Sequence, residues 1–276
     1  MHNRKTGQIE KCKYKSNRIY CKDADEYMDA IPKGTVDLII MDPPYNMKKA
    51  DWDTYDDNLF QVTMNNWLGA ACDILKMMGS LYVFNTPENA IWIAHFLKEH
   101  WHMKFRNWIV WNKKDGMSGS KSKYVCKQEV VLFFTKSDNY TFNYDDIRVP
   151  YDSENRVKYG VVKNGKKWTP NPKGKLCTDV WNFTSERFAK RNREGGRLKA
   201  LEHITPKPIE MIERMVKASS NKGDIVLDPF MGSGTTAIAY KLHVRHFIVC
   251  DSNKEYVKYS AKRYKEFFKS NTERIL

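Results

Sequence analysis

The 276-residue chain predicts an α/β fold on a mostly parallel sheet, with an antiparallel hairpin at the sheet edge and one irregular insertion. Three observations carry this. Residues 36–41 form a β-branched, apolar run that stops at Asp42-Pro43-Pro44-Tyr45. A buried parallel strand ends that way, because two prolines cannot donate to a ladder. A second run, Ile225–Leu227, is followed by Asp228, a glycine turn and a helical segment. Between the two, strand-period and helix-period stretches alternate, as in a sheet covered by helices.

The elements follow in order. Residues 1–17 read as a flexible basic lead-in. Arg18–Asp23 is a short strand ending in an acid, and Asp25–Ile31 a short helix closed by Pro32 and Gly34. The next strand leaves Asp42 and Tyr45 at its carboxyl end, where open α/β sheets bind ligands; a capping aspartate in a proline turn is the plainer alternative. Residues 46–58 carry many charges and little period, so they read as a loop long enough to be a mobile flap. Helical spacing runs over 59–77, with Gly79 ending the helix, and Ser80–Asn85 is a strand. Residues 88–99 form another amphipathic helix.

Phe105–Trp111 and Glu129–Thr135 are strands joined without a helix, hence the antiparallel edge pair. Their connection, Asn112–Lys127, holds Lys113, Lys114, Lys121, Lys123 and Lys127. It is either a phosphate contact or a solvated hairpin. From Tyr140 to about Leu201 regular periods vanish, and Gly, Pro, Asn, bases and aromatics dominate. Arg187, Lys190, Arg191, Arg193, Arg197 and Lys199, with Trp168, Trp181 and Phe183, suit nucleic-acid contact, the plainer alternative being a solvated irregular insertion. A helix over 208–218, the strand ending at Asp228, a helix over 235–242, a strand His246–Asp251 and a basic helix Lys254–Phe268 complete the chain.

Bulk composition narrows the partners. Hydrophobic residues are 41% of the chain, enough for a real core, and no apolar run approaches the length of a membrane span. No apolar stretch follows Met1–Lys5, so a signal peptide is not expected. The six cysteines are scattered without a C-x-x-C pair. They read as reduced thiols of a cytoplasmic protein, with no metal site; His100 and His102 flank Trp101 without completing one. Forty-seven Lys and Arg against 33 Asp and Glu leave a net charge of +14 and a pI near 9.3. That balance favours a polyanion, and nucleic acid first.

The second strand end carries its own chemistry. In Asp228-Pro229-Phe230-Met231-Gly232-Ser233-Gly234-Thr235, the glycines permit positive φ and close approach of a ligand. The helix amino terminus beyond offers free N–H groups to an anion. A lone G-x-G is a weak signal, and the missing G-K-[ST] argues against a nucleotide triphosphatase. Asp251, ending the following strand, is placed to hold both hydroxyls of a ribose. These residues indicate an adenosine-containing cofactor and leave open whether it is a nicotinamide or a methyl donor.

D-P-P-Y with a downstream F-x-G-x-G resembles the amino methyltransferases of DNA that use S-adenosylmethionine. The order of motifs matches their β class. DPPYNMKKADWD, FNTPEN, HITPKP and FMGSGTTA are similar to the MboII-type adenine methyltransferases of restriction–modification systems. The resemblance implies a Rossmann-like methyltransferase fold. Residues 1–139 would be its catalytic half, 140–201 a target-recognition insertion and 202–276 its cofactor half. Asp42, Pro43, Pro44 and Tyr45 match the catalytic motif. Phe230, Gly232, Ser233, Gly234 and Thr235 match the cofactor loop, and Asp251 the ribose acid. Thr205 and Lys207 match the segment holding the methionine end, Asp23 and Ala24 the position that reads the cofactor's adenine, and Asp228 the site facing the methionine amine. The implied partner is double-stranded DNA, contacted by Lys113, Lys121, Lys123, Arg187, Lys190, Arg191, Arg193 and Arg197. The implied target is GAAGA, and the class often pairs as a homodimer.

The residue types suit amine methylation. The exocyclic amine of adenine is a poor nucleophile, because its lone pair is delocalised into the ring. Asp42 and the Pro43 carbonyl can each accept one N–H, which localises that pair, while the proline ring holds its carbonyl rigidly. Tyr45 would stack on the base, worth ~1–3 kcal/mol, and the base must first leave the duplex. Cytosine N4 methylation shares this geometry, although its motif more often begins with serine. Glutamine methyltransferases share the fold but begin with asparagine and lack a basic insertion. A DNA-binding protein without turnover is the alternative of a different class.

Overall fold

The computed structural model describes residues 2–3, 8–9, 14–48, 51–113, 121–152, 154–184 and 206–270. A short antiparallel pair, β1 (His2–Asn3) and β2 (Gln8–Ile9), opens the chain. β3 (Arg18–Cys21) leads into α1 (Ala24–Asp29), whose first turn is capped by Asp23. β4 (Val36–Met41), α2 (Asp57–Ile74), β5 (Leu75–Asn85) and α3 (Pro87–Glu99) follow. β6 (Lys104–Asn112) and β7 (Gln128–Thr135) form the long hairpin. The insertion contributes α4 (Glu154–Tyr159), the small hairpin β8 (Val161–Lys163) and β9 (Lys166–Trp168), and β10 (Val180–Trp181). The chain then forms α5 (Ile209–Ser219), β11 (Ile225–Asp228), α6 (Thr235–Leu242), β12 (His246–Asp251) and α7 (Lys254–Ser270).

Eight strands make one sheet, in the order β10-β6-β7-β5-β4-β11-β12-β3. Every neighbouring pair is parallel except the two that β7 makes with β5 and β6. The antiparallel pair therefore exists, but β10 lies outside it, parallel to β6, and takes the edge position. Period-two alternation places successive β4 residues on opposite faces. Ile39 and Met41 pack under α1, α2 and α3 with Tyr27, Met64 and Leu97, whereas Leu38 and Ile40 pack under α5 and α6 with Met211, Met215 and Tyr240. Asp37 interrupts this apolar strand and is satisfied: it pairs with Lys76 at 2.7 Å and accepts the Ile225 N–H at 2.9 Å.

Two expectations need correction. The helix expected to run to residue 77 ends at Ile74, and β5 begins at once. Leu75 pairs with Val36, and the register shifts before Leu38 meets Ser80. Gly79 lies inside that irregular strand. A Cβ there would fall 2.7 Å from the Leu75 side chain and 3.0 Å from the Asp37 carbonyl, so its smallness serves packing, not a helix end. The insertion was expected to lack regular elements and to present Trp181 and Phe183 to a partner. Trp181 is instead buried in the core through β10, and Arg214 lies 5.2 Å from its ring and 4.5 Å from that of Phe183. No helix among the described residues is long and apolar enough to cross a membrane.

Candidate active site

The carboxyl ends of β3, β4, β11 and β12 open into one continuous cleft of about 600 Å³. Asp23, Ala24, Asp228, Phe230, Gly232, Ser233, Thr235 and Asp251 line one end, and Asp42, Pro43, Pro44, Tyr45 and Lys207 the other. The structure thus brings together residues from five separate stretches of sequence.

At the Asp42 end, Tyr45 donates its hydroxyl to Asp42 Oδ1 at 2.7 Å, and Lys207 Nζ lies 2.7 Å from Asp42 Oδ2. Glu129, on β7, receives Lys207 at 3.3 Å and the Tyr45 hydroxyl at 3.4 Å on Oε2, while Lys113 pairs with Oε1. Burial alone would raise the Glu129 carboxyl, but Lys207 and Lys113 outweigh it and hold it below the usual carboxylate range. Burial alone would lower the Lys207 ammonium, but Asp42 and Glu129 hold it up. Burial and the two carboxylates push the Tyr45 phenol well above its ordinary value, so it remains a donor.

The loop after Pro44 is pinned at its root. The buried Asp53 carboxylate accepts the backbone N–H of Tyr45, Asn46 and Met47 at 2.7, 2.9 and 3.0 Å. Asn89, of the FNTPEN stretch, donates to the Tyr45 carbonyl at 2.9 Å. The stretch expected to be a mobile flap therefore starts from a fixed base.

At the other end, Asp251 accepts the N–H of Gly232 and of Asn253, both at 2.9 Å, which ties the glycine loop to β12. Gly232 and Gly234 have φ of +51° and +79°. A Cβ on Gly234 would lie 2.8 Å from Ser260, so its smallness admits a close approach of α7. Arg263 of α7 donates to the Ser233 carbonyl, the Ser233 hydroxyl and the Thr235 hydroxyl at 3.0, 3.1 and 2.9 Å. Phe230 meets Trp67 edge-on at 4.8 Å, and its N–H bonds to Asp228 at 2.8 Å. Burial pushes the Asp228 carboxyl up to about 7.

Lys207, expected in the segment holding the methionine end, sets its amine on Asp42. Lys113, expected as a DNA contact, lines the cleft against Glu129, 5.0 Å from the Trp111 ring. Lys121 and Lys123 are exposed. Thr205, Arg187, Lys190, Arg191, Arg193 and Arg197 lie outside the described residues. Glu129, Asp53 and Arg263 were missed. Glu129 carried one signal, an acid opening an otherwise apolar strand, and Asp53 closes the DPPYNMKKADWD stretch on which the resemblance rests; Arg263 carried none. Among the described residues no group of metal-ligating side chains occurs.

Comparisons with known proteins agree with this geometry. The profile of a family described as DNA methylase matches residues 36–262. The type II methyltransferase M1.MboII of Moraxella bovis is 48% identical over 246 residues, covering 87% of this chain and 94% of its own. The DNA adenine methyltransferase YhdJ of Escherichia coli (strain K12) is 35% identical, with coverage of 87% and 80%. Among solved structures, an M1.HpyAVI complex with SAM superposes with a TM-score of 0.58 at 26% identity, covering 89% and 98%. The cytosine-N4-specific PvuII DNA methyltransferase gives 0.68 at 15% identity over 96% of each chain, a likeness of fold alone. A profile that spans both strand ends of the cleft, and a relative sharing nearly half of the aligned residues, place the chain in one group: it belongs to the N6/N4 DNA methylase family.

Proposed function

We propose that this DNA methyltransferase acts on the N6 amine of an adenine flipped out of a specific duplex sequence, with S-adenosylmethionine as donor. The observation that carries the reading is the single cleft joining Asp42 to the glycine loop. Its far end fits the donor. Asp251 stands at a strand end with its carboxylate already oriented by two backbone N–H groups, Phe230 offers an aromatic face, and Asp228 offers a buried carboxyl to a cationic amine. When bound there, the donor supplies a methyl group already activated on a sulfonium.

The chain's own residues supply orientation and acceptor activation. Asp42 accepts one amine hydrogen and the Pro43 carbonyl the other, so the nitrogen lone pair is freed from the ring. The donor, which Asp228, Phe230 and Asp251 would hold, would supply the methyl group to that nitrogen, and the proton the amine gives up would pass to Asp42 or to solvent. Tyr45 lies beside this position, its backbone held on both sides by Asp53 and Asn89, and gives the base a face to stack on. The basic connection and the insertion over 140–201 recover part of the cost of flipping through phosphate contacts.

Modification-aware long-read sequencing of DNA from cells expressing the protein, with Asp42→Ala as control, tests the reading. N6-methyladenine at one short motif, absent from the control, is the expected result; GAAGA is the first motif to inspect, by resemblance to the MboII branch. N4-methylcytosine would keep the chemistry and remove adenine as the acceptor.

A further inference from the structure

Both oxygens of Asp42 are occupied in this structure, Oδ1 by the Tyr45 hydroxyl and Oδ2 by the Lys207 ammonium, each at 2.7 Å. A carboxylate oxygen can accept more than one hydrogen bond. An ammonium in direct contact nevertheless competes for the charge an incoming amine needs, because charge-assisted bonds are about twice as strong as neutral ones. Lys207 has little room to leave: its side chain is 10% exposed, packed 5.4 Å from the Tyr45 ring centre and 5.1 Å from that of Phe84. Expelling it would strand a buried charge.

The same two donors already reach a second acceptor. Glu129 Oε2 lies 3.3 Å from Lys207 Nζ and 3.4 Å from the Tyr45 hydroxyl, while Lys113 occupies Oε1. The group comprises two carboxylates and two ammoniums, so a shift of Lys207 and Tyr45 from Asp42 to Glu129 leaves its net charge unchanged. We propose that Glu129 is a positioning residue that takes over Lys207 and the Tyr45 hydroxyl when the acceptor amine arrives, releasing Asp42 to bind it. Lys113 keeps Glu129 ionised and in place, so that the alternative acceptor stands ready. The inference rests on Asp42 being the carboxylate that binds the acceptor amine.

The test is single-turnover methylation of duplex DNA at saturating S-adenosylmethionine by the full chain. Wild type is compared with Glu129→Gln, Lys207→Met and the double variant, and cofactor affinity and thermal unfolding are measured beside the rates. Glu129→Gln is expected to slow methylation on the order of 10²-fold, the scale of a misplaced reacting group, with cofactor affinity kept. The double variant is expected to be faster than Glu129→Gln alone, on the order of tenfold, because the cation left on Asp42 is gone; a purely structural role of Glu129 gives no such recovery. Should Glu129→Gln unfold, Glu129→Asp keeps the charge with a shorter reach, and its rate is expected below wild type at unchanged melting temperature. A wild-type rate in Glu129→Gln, or a double variant slower than both single ones, overturns the proposal. Failure of wild type to methylate any DNA is a separate outcome and removes the functional reading together with the inference built on it.

Discussion

β4 and β11 are parallel neighbours, with Leu38 opposite Val226 and Ile39 opposite Leu227, and each ends in aspartate, proline and an aromatic within three further residues. Their two acids differ sharply. The Asp42 side chain is 29% exposed and carries Lys207 as a counter-ion. Asp228 is 2% exposed, takes a backbone N–H from Phe230, and among the described residues no ion pair reaches it. Burial accordingly pushes Asp228 up to about 7. The same local pattern puts an acid into the cleft in both places, but one is part-exposed beside a cation from a distant segment and the other is buried with a backbone N–H as its partner. Residues 206–208 deliver one to β4.

The strongest way to separate the two ends is Asp42→Ala. Methyl transfer, followed by radiolabel incorporation into DNA, is expected to fall on the order of 10²–10⁴-fold, the range for a positioned acid–base group. Cofactor affinity by calorimetry should stay close to wild type. A parallel loss of cofactor binding would mean that the two ends do not act independently.

Next in size are the loop glycines. Gly234→Ala places a Cβ 2.8 Å from Ser260 at φ +79°, whereas Gly232→Ala meets nothing closer than 3.9 Å at φ +51°. Strain at positive φ costs roughly 1–2 kcal/mol in either variant, and overpacking adds about 1–3 kcal/mol at Gly234 alone. Thermal unfolding should therefore rank Gly234→Ala below Gly232→Ala, and equal losses would remove the packing argument.

Asp228→Asn tests the uncompensated acid through pH. Between its ordinary value of 3.8 and about 7 the folded chain keeps a proton that the unfolded chain releases. Stability conferred on the fold by that proton is lost as pH rises through this window, and the burial penalty of the ionised form is complete above it. Asparagine cannot ionise. Without ligand, the variant should melt higher than wild type at about pH 8, and the gap should shrink toward about pH 4. A gap that does not change with pH would assign the effect to something other than the carboxyl.

Local sequence foretold the strands that end at Met41, Asp228 and Asp251, because apolar runs stopped by proline or a turn are self-announcing. The helix Thr235–Leu242 was equally plain. What it missed has two causes. Ile74 and Leu75 are both apolar, so nothing local says that a helix yields to a strand between them; Val36, bonded across the sheet, decides that. The pairing of Lys207 with Asp42 and the place of Glu129 join residues 165 and 87 positions from Asp42, and only topology brings them together. Trp181 misled for a related reason: an aromatic among bases looks like a contact residue until a two-residue edge strand buries it.

Arg263 completes the contrast at the cofactor end. Among the described residues that end has no cation on its buried acid, but it has one on its loop: the guanidinium donates to the Ser233 carbonyl and to the Ser233 and Thr235 hydroxyls. Those bonds fix the peptide between two positive-φ glycines, so their loss should loosen the loop without touching the acceptor side. With a single net hydrogen bond worth about 1 kcal/mol, Arg263→Met is expected to weaken cofactor binding about fivefold and to leave the single-turnover rate at saturating cofactor unchanged. Arg263→Lys should recover only part of the affinity: all three bonds leave a single nitrogen, Nη1, and the shorter lysine side chain sets its ammonium nearer to α7. A lower saturating rate in Arg263→Met would show instead that the loop's order reaches Asp42, and that the two neighbouring strand ends work as one unit.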